Sequence, residues 1–117
     1  ALPDTQIVAV CGDGSFQMSL MELATMRQWK LPIKFVIMRN GYLGLVREYQ
    51  HHTYHDRYSG VSLDGSPDFE KIADAYGLDY FHLERNDEME QRIDEFLACE
   101  HAAMMVCEVY SFDLVKE

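Results

Sequence analysis

Four short segments rich in apolar residues recur along the chain, and each is bounded by glycine or polar residues. They cover residues 7–11, 33–38, 79–83 and 104–109. Uninterrupted apolar runs of this length are typical of strands covered on both faces, as in a parallel sheet. We therefore predict four strands, and we expect the strand at 7–11 to be buried on both sides.

Helical patterns separate these strands and predict helices at residues 19–30, 42–50, 66–77 and 87–101. The first helix begins with a capping box at Ser19, and Pro32 stops it. The third begins with Ser66 as its cap, places Pro67 at its first position, and ends at a glycine. Residues 51–65 show little periodicity and are predicted to form a loop with short helical turns.

Each predicted helix has one apolar side, which we expect to face the core. These sides consist of Leu20, Leu23, Ala24 and Met26 in the first helix, Leu43, Val46 and Tyr49 in the second, Phe69, Ile72, Ala73 and Tyr76 in the third, and Met89, Ile93, Phe96 and Leu97 in the fourth.

The alternation of strands and helices indicates an α/β fold, with a parallel sheet and helices on both faces. A length of 117 residues fits one domain, at residues 1–117. In such sheets, ligands bind at the carboxyl ends of the strands.

The N-terminus begins with Ala1 rather than Met and has no signal-peptide pattern. We expect the chain to be a piece of a longer protein, with part of its sheet missing and a tendency to self-associate.

The charge balance excludes several classes of partner. Twenty acidic and ten basic residues give a formal net charge of −10. This charge repels nucleic acids and anionic membranes, and no apolar stretch is long enough to span a bilayer. The three cysteines have no C-x-x-C spacing, so we expect reduced thiols in a cytoplasmic protein.

The sequence Gly12-Asp13-Gly14-Ser15 follows the first predicted strand. Two glycines allow backbone N–H groups to approach a phosphate closely. The carboxylate between them can bind Mg²⁺, which prefers oxygen ligands and often bridges protein and phosphate. A turn of this composition is common, so the motif by itself does not define a site.

Asn40 follows the next predicted strand and changes this interpretation. One strand–helix–strand unit separates it from Asp13 and returns the chain to the same edge of the sheet. An amide oxygen is a suitable neutral ligand for the cation that Asp13 would bind. Gly41 and Gly44 leave the following backbone free to turn toward a diphosphate.

The two motifs together resemble those of enzymes that use thiamine diphosphate, which carry Gly-Asp-Gly and then, after a spacer of this length, Asn-Asn. The surrounding sequence is most similar to the large catalytic subunit of acetolactate (acetohydroxyacid) synthase. The similar segments are residues 12–18, 22–25, 31–34, 40–47 and 67–69, with Ala73, Gly77 and Leu78.

This resemblance implies a thiamine-diphosphate-binding fold and a particular set of site residues. Asp13, the Asn40 side chain and the Tyr42 carbonyl would be the protein ligands of Mg²⁺. The implied cofactor contacts come from Gly12, Asp13, Gly14, Ser15, Asn40, Tyr42, Leu43, Gly44 and Leu45. Two positions depart from the pattern: Arg39 replaces the first Asn, and Tyr49 replaces a common Trp in a region that borders the substrate channel.

The resemblance also implies a reaction and partners. The whole enzyme would decarboxylate pyruvate and add the two-carbon unit to a second 2-oxo acid, in branched-chain amino acid biosynthesis. It would carry FAD on a separate domain, assemble as a homo-oligomer and bind a regulatory small subunit. The glutamate that activates the cofactor lies on another domain of the family, so no catalytic residue is assigned here and the chain alone should be inactive.

Three alternatives remain open from the sequence. The chain can belong to another thiamine-diphosphate enzyme such as glyoxylate carboligase, to a receiver-type signalling domain, or to a module without retained activity. A receiver needs paired acids beside Asp13 and a Lys after a late strand, and neither is present.

His51, His52 and His55 lack zinc-ligand spacing and are interpreted as loop residues. Met18 is the methionine that we expect near the cofactor.

Overall fold

Four parallel strands form a single sheet in a computed structural model that describes residues 5–111. The sheet order is β1-β2-β4-β3. The strands are β1 Val8–Gly12, β2 Lys34–Arg39, β3 Asp79–Leu83 and β4 Ala103–Glu108. The predicted strands and the α/β class are confirmed. Residues 1–4, on which the expected chain boundary depends, lie outside the described residues.

Five α-helices connect the strands within residues 5–111. They are α1 Asp13–Met18, α2 Glu22–Gln28, α3 Gly44–Tyr54, α4 Phe69–Tyr76 and α5 Met89–Ala98, the last preceded by a 3₁₀ turn at Asn86–Glu88. Helix α1 was not predicted, because the Gly-Asp-Gly motif was interpreted as a turn. The motif instead passes directly from β1 into this helix.

One face of the sheet is covered by α1, α2 and α4. Phe16 of α1 lies at the centre of this core and makes edge-to-face contacts with Phe35 and Phe69, at ring-centre distances of 5.7 and 5.9 Å. Leu23 of α2 and Ala73 of α4 are buried in the same core. The apolar faces predicted for the first and third helices are confirmed at these positions, whereas Ala24 is exposed.

The opposite face of the sheet is covered only in part. Helix α5 buries Phe96 against Met105 and Cys107 of β4. The β1 side of this face is open: Val10 is 67% exposed and Val8 is 41% exposed. The expectation that β1 is buried on both faces is therefore wrong for the described residues. An apolar run indicates a strand, but it does not specify which elements will cover that strand.

The boundaries of α2 differ from the capping-box prediction. The Ser19 side chain makes no capping hydrogen bond to this helix, whose N-cap is Met21. The Ser19 carbonyl instead accepts a hydrogen bond from the Glu22 N–H at 3.0 Å. Because α1 ends at Met18, residues 19–21 form a tight turn between two helices and lack the extended backbone that a capping box requires.

The cap of α4 is Asp68 rather than Ser66. The Asp68 carboxylate accepts hydrogen bonds from the N–H groups of Glu70 and Lys71, at 3.1 and 3.3 Å. Pro67 thus precedes the helix. Ser66 accepts a hydrogen bond from the Gln17 side chain at 2.9 Å, so its hydroxyl joins α1 to this loop. The predicted glycine cap is confirmed, because Gly77 ends α4 with a φ of 72°.

The other helices also depart from their predicted limits. Helix α3 starts two residues later and extends four residues further than predicted, into the segment interpreted as a loop. The prediction that Val46 and Tyr49 of this helix face the core is wrong, because both are exposed, whereas Arg47 is buried. Helix α5 ends at Ala98, and its terminal apolar residues Met89 and Leu97 are about two-fifths exposed.

Replacing Asp68 by Asn tests the cap through its pH dependence. The hydrogen bond and ion pair with Lys71 lower the pKa of Asp68. A carboxylate with a lowered folded pKa stabilises the fold above its unfolded pKa of about 3.9, and that stability is lost as the pH falls through the folded value. We expect wild type to have the higher urea midpoint at pH 7 and this advantage to shrink as the pH falls below the unfolded pKa of about 3.9. An advantage that persists at low pH would contradict this account, and Asp74→Asn, an exposed acid in the same helix, serves as control.

The open β1 edge predicts concentration-dependent self-association. An unpaired strand edge with exposed apolar side chains favours pairing with another chain, and a lysine on the edge opposes it. We expect light scattering to give a mass that rises with concentration for wild type and less so for Val10→Lys. The control is Met21→Lys, since Met21 is similarly exposed but lies outside the sheet. A wild type that stays monomeric at high concentration would refute the prediction.

Candidate functional site

The carboxyl ends of β1 and β2 border a cavity of about 430 Å³. The two strands are parallel neighbours, so Gly12 at the end of β1 lies opposite Met38 near the end of β2. All nine residues implied as cofactor contacts line the cavity: Gly12, Asp13, Gly14, Ser15, Asn40, Tyr42, Leu43, Gly44 and Leu45. Met18, expected near the cofactor, lines the cavity too. Met38, Val46 and Val109 also line it, although none of the three was predicted to contact the cofactor.

Asp13 is the first residue of α1, and its side chain is almost fully buried, with 1% of its surface exposed. Its two carboxylate oxygens accept hydrogen bonds from the N–H groups of Gly14 and Gly41, at 3.1 and 2.9 Å. Within residues 5–111, no Lys, Arg or His side chain forms an ion pair with it. Burial of a charge without a cation is costly. Each oxygen retains a lone pair, so the group can still bind a cation.

Asn40 follows β2 and has a fixed orientation. Its Oδ1 atom accepts a hydrogen bond from the Tyr42 N–H at 3.0 Å. Its Nδ2 atom would lie 3.2 Å from a Cβ placed on Gly44. Because Gly41, the next residue, donates to Asp13, the two side chains are linked through the main chain. The site thus presents carboxylate and amide oxygens, which suit a hard cation.

Two glycines are required by this geometry. Gly41 has a φ of 73°, a left-handed conformation that costs other residues energy. A Cβ on Gly14 would lie 2.7 Å from the Leu43 Cδ2 atom, so a larger residue would displace that side chain. Gly41 therefore allows the left-handed backbone, and Gly14 allows close packing beside Asp13.

Residues 60–65 hold the Gly41–Leu43 segment in place. The Leu43 N–H donates to the Val61 carbonyl at 2.9 Å, and the Leu63 N–H donates to the Gly41 carbonyl at 2.8 Å. This short antiparallel pairing was missed in the sequence, where the segment was interpreted as a loop. The apolar residues Val61 and Leu63, which alternate with polar neighbours, are the signal that could have indicated it.

A family model described as "Thiamine pyrophosphate enzyme, C-terminal TPP binding domain" matches residues 1–109. The chain belongs to this family. Thiamine pyrophosphate is another name for thiamine diphosphate, so the expected family is confirmed. A receiver-type signalling domain is not compatible with this membership.

Within this family, the chain is similar to proteins named acetolactate synthase. The chain is 38% identical over 110 residues to "Acetolactate synthase" of Arthrospira platensis, covering 93% of this chain and 19% of that protein. It is 39% identical over 97 residues to "Acetolactate synthase isozyme 2 large subunit" of Escherichia coli (strain K12), covering 83% and 18%. The chain thus spans about a fifth of the length of these relatives. None of the helices in residues 5–111 is long and apolar enough to cross a membrane.

The two departures from the family pattern lie outside the cavity lining. Arg39 forms an ion pair with Glu108 at 3.2 Å, and Glu108 also contacts His82 at 3.1 Å. The cation at this position is therefore held by a carboxylate on β4. Tyr49 is 58% exposed and makes an edge-to-face contact with Tyr54, at a ring-centre distance of 5.9 Å.

The histidines of α3 do not form a metal cluster within the described part of the chain. His51 and His52 lie in the helix rather than in a loop, and His55 caps its end. His51 contacts Asp56 at 2.5 Å. Hydrogen bonds from Tyr58 and then His51 lower the pKa of Asp56, so these residues form a local polar network.

The three cysteines are free. Burial raises the pKa of the Cys11 and Cys107 thiols. A raised pKa keeps a thiol protonated at neutral pH and makes it a poor nucleophile. Cys11, although it directly precedes Gly12, is therefore a packing residue, as expected.

Replacing Gly41 by Ala tests the strain at the site. A Cβ at this position meets no atom within 4 Å, so the effect comes from the left-handed backbone alone. We expect the free energy of unfolding to fall by about 1–2 kcal/mol in urea denaturation. Gly65→Ala is the control, because Gly65 is exposed, has an ordinary φ and also has open space around it. Equal effects in both variants would show that the backbone of Gly41 is not special.

Proposed function

We propose that this domain binds the diphosphate of thiamine diphosphate through Mg²⁺ in the Asp13 cavity. Asp13, Asn40 Oδ1 and the Tyr42 carbonyl are the proposed protein ligands of the metal. The main support is the buried Asp13 carboxylate, which has two main-chain hydrogen bonds and no cationic partner within residues 5–111. A divalent cation beside it would neutralise a charge that is costly to bury.

The charges of the cavity support the proposal of a metal. None of the lining residues within 5–111 is a Lys or an Arg, and Asp13 is an acid. An anionic diphosphate would be repelled by the carboxylate if the two met directly. Mg²⁺ is attracted to both, accepts oxygen ligands from each, and keeps bound waters at its remaining positions. Gly14 and Ser15 border the same space and would contact the diphosphate.

The remaining walls of the cavity are apolar and suit the organic part of the cofactor. Met18, Leu45 and Val46 are exposed on the protein surface but line this space. Packing against a bound ligand would remove them from water, which favours binding. When bound, thiamine diphosphate supplies the carbanion chemistry of its enzymes, and the protein orients it and excludes water.

We further propose that the domain acts within an acetolactate synthase-like enzyme. This enzyme decarboxylates pyruvate and joins the two-carbon unit to a second 2-oxo acid. Support comes from the relatives, several of which are named acetolactate synthase large subunits. The activating glutamate and the FAD site are assigned to other domains of that enzyme. By analogy with acetolactate synthase, we propose that the whole enzyme is a homo-oligomer in the cytoplasm and binds a regulatory small subunit. The chain alone should bind cofactor without catalysing the reaction.

Isothermal titration calorimetry with thiamine diphosphate, with and without Mg²⁺, tests the cofactor site. We expect binding by the purified chain to require the metal. Asp13→Asn removes the charge while keeping the size of the side chain, and Asn40→Ala removes the amide oxygen. Each variant should bind at least tenfold more weakly in the presence of Mg²⁺, since each loses one of the few metal ligands.

Asp64→Asn and Asn86→Ala are matched controls, because both residues are exposed and neither lines the cavity. They should bind as wild type does. Circular dichroism verifies that the site variants remain folded. Binding that is indifferent to Mg²⁺, or that survives both Asp13→Asn and Asn40→Ala, would refute the site assignment.

A further inference from the structure

Asp79, Cys99 and His101 meet at the amino-terminal edge of the sheet. Asp79 begins β3, whereas Cys99 and His101 lie between α5 and β4. The Cys99 Sγ atom lies 3.0 Å from Asp79 Oδ2, and His101 Nδ1 lies 3.4 Å from the same oxygen. All three potential ligand atoms lie within 4.8 Å of one another. The Asp13 cavity is at the carboxyl edge of the same sheet, so the two sites are separate.

The two distances to Asp79 Oδ2 can be compared with those of a tetrahedral metal site. With metal–ligand distances of about 2.0–2.3 Å, tetrahedral geometry separates nitrogen and oxygen ligands by about 3.4 Å and sulfur and oxygen ligands by about 3.6 Å. The nitrogen–oxygen separation already fits, and the sulfur–oxygen pair needs to open by about half an ångström. We propose that Asp79, Cys99 and His101 bind a zinc-class divalent cation, with the fourth position left for water.

The chemistry of the ligands selects the metal. One thiolate, one imidazole and one carboxylate favour Zn²⁺ or Co²⁺, whereas Mg²⁺ and Ca²⁺ prefer oxygen ligands only. The cation expected here therefore differs from that expected at Asp13. Because one position stays open, such a site can accept an external ligand as well as water.

A buried lysine holds the segment that carries two of the ligands. Lys34 is 1% exposed, and its Nζ atom donates to the carbonyls of Cys99 and His101, at 2.6 and 3.4 Å. Its ammonium group also lies 5.4 Å from the centre of the Phe96 ring. These contacts fix the backbone on both sides of Glu100. Once a metal has displaced the thiol proton, the Asp79 carboxylate and the Cys99 thiolate together carry more charge than the Lys34 ammonium group.

Metal binding requires loss of the thiol proton. In the metal-free chain, the Cys99 thiol donates a hydrogen bond to Asp79 Oδ2 at 3.0 Å. On binding, the S–H bond breaks, a metal–sulfur bond forms, and the proton passes to solvent. Cys99 then no longer donates a hydrogen bond to Asp79, and the Asp79 oxygen coordinates the metal instead. No oxidant or reductant takes part.

Cobalt titration of the reduced, purified chain tests the proposal. Thiolate coordination gives Co²⁺ a sulfur-to-metal charge-transfer absorption that oxygen and nitrogen ligands do not give. We expect this band to appear, to saturate at one Co²⁺ per chain, and to disappear when Zn²⁺ is added. Cys99→Ala should abolish it, and His101→Ala and Asp79→Asn should each weaken Co²⁺ binding at least tenfold.

Cys11→Ala and His55→Ala are the matched controls, because each removes the same side chain type at a distant position. Both should retain the band at wild-type affinity. Cys99→Ser provides a second variant that keeps the size of the side chain if Cys99→Ala fails to fold. Absence of the band in wild type, or its survival in Cys99→Ala or Cys99→Ser, would overturn the proposal, as would its loss in Cys11→Ala.

Discussion

The hydrogen bonds of the Asp13 carboxylate organise the carboxyl edge of the sheet. One oxygen accepts from Gly14, in its own helix, and the other accepts from Gly41, after the neighbouring strand. A single side chain thus connects the end of β1 to the segment that follows β2. That segment carries Asn40 and Tyr42, and its position determines whether their oxygens can bind the same cation as Asp13.

This arrangement leaves a buried negative charge that no side chain of residues 5–111 neutralises through an ion pair. Asp13 is buried, and its hydrogen bonds come from neutral N–H groups, which stabilise a carboxylate without cancelling its charge. Arg39, which replaces the Asn that the resemblance implies, is paired with Glu108. The proposed metal ion would neutralise the Asp13 carboxylate and, by the same charge, would attract a diphosphate. The proposed preferences for a cation and for a diphosphate therefore have one physical origin.

The sequence predicted the strands, the parallel α/β class and the meeting of the two motifs, because apolar runs and strand ends are local signals with one topological outcome. It did not predict features that depend on neighbours. Ser66 and Asp68 are both good helix caps, and only the position of Gln17 in space assigns Ser66 to another hydrogen bond. The exposure of Val10 depends on which elements flank β1, which no local pattern reports.

The same distinction applies to the site. Asp13 and Asn40 were identified from motif and spacing. The pairing of residues 41–43 with the 60–65 segment was not predicted, because the alternation of Val61 and Leu63 with polar neighbours is a short pattern that was interpreted as a loop. The cluster of Asp79, Cys99 and His101 was likewise not predicted, because Asp79 is 20 residues from Cys99 and only the pairing of β3 with β4 brings it to the other two residues. Sequence locates chemistry when it lies at strand ends and misses it when tertiary packing assembles it.

The central claim is that Asp13 and Asn40 bind one cation at the edge of the sheet. Crystallography of the chain with thiamine diphosphate and Mn²⁺, using anomalous scattering from the metal, tests this most directly. We expect an anomalous peak about 2.0–2.3 Å from an Asp13 oxygen and from Asn40 Oδ1, with diphosphate oxygens completing the coordination. Absence of this peak from the Asp13 cavity, or a diphosphate bound there without a metal, would contradict the proposed site.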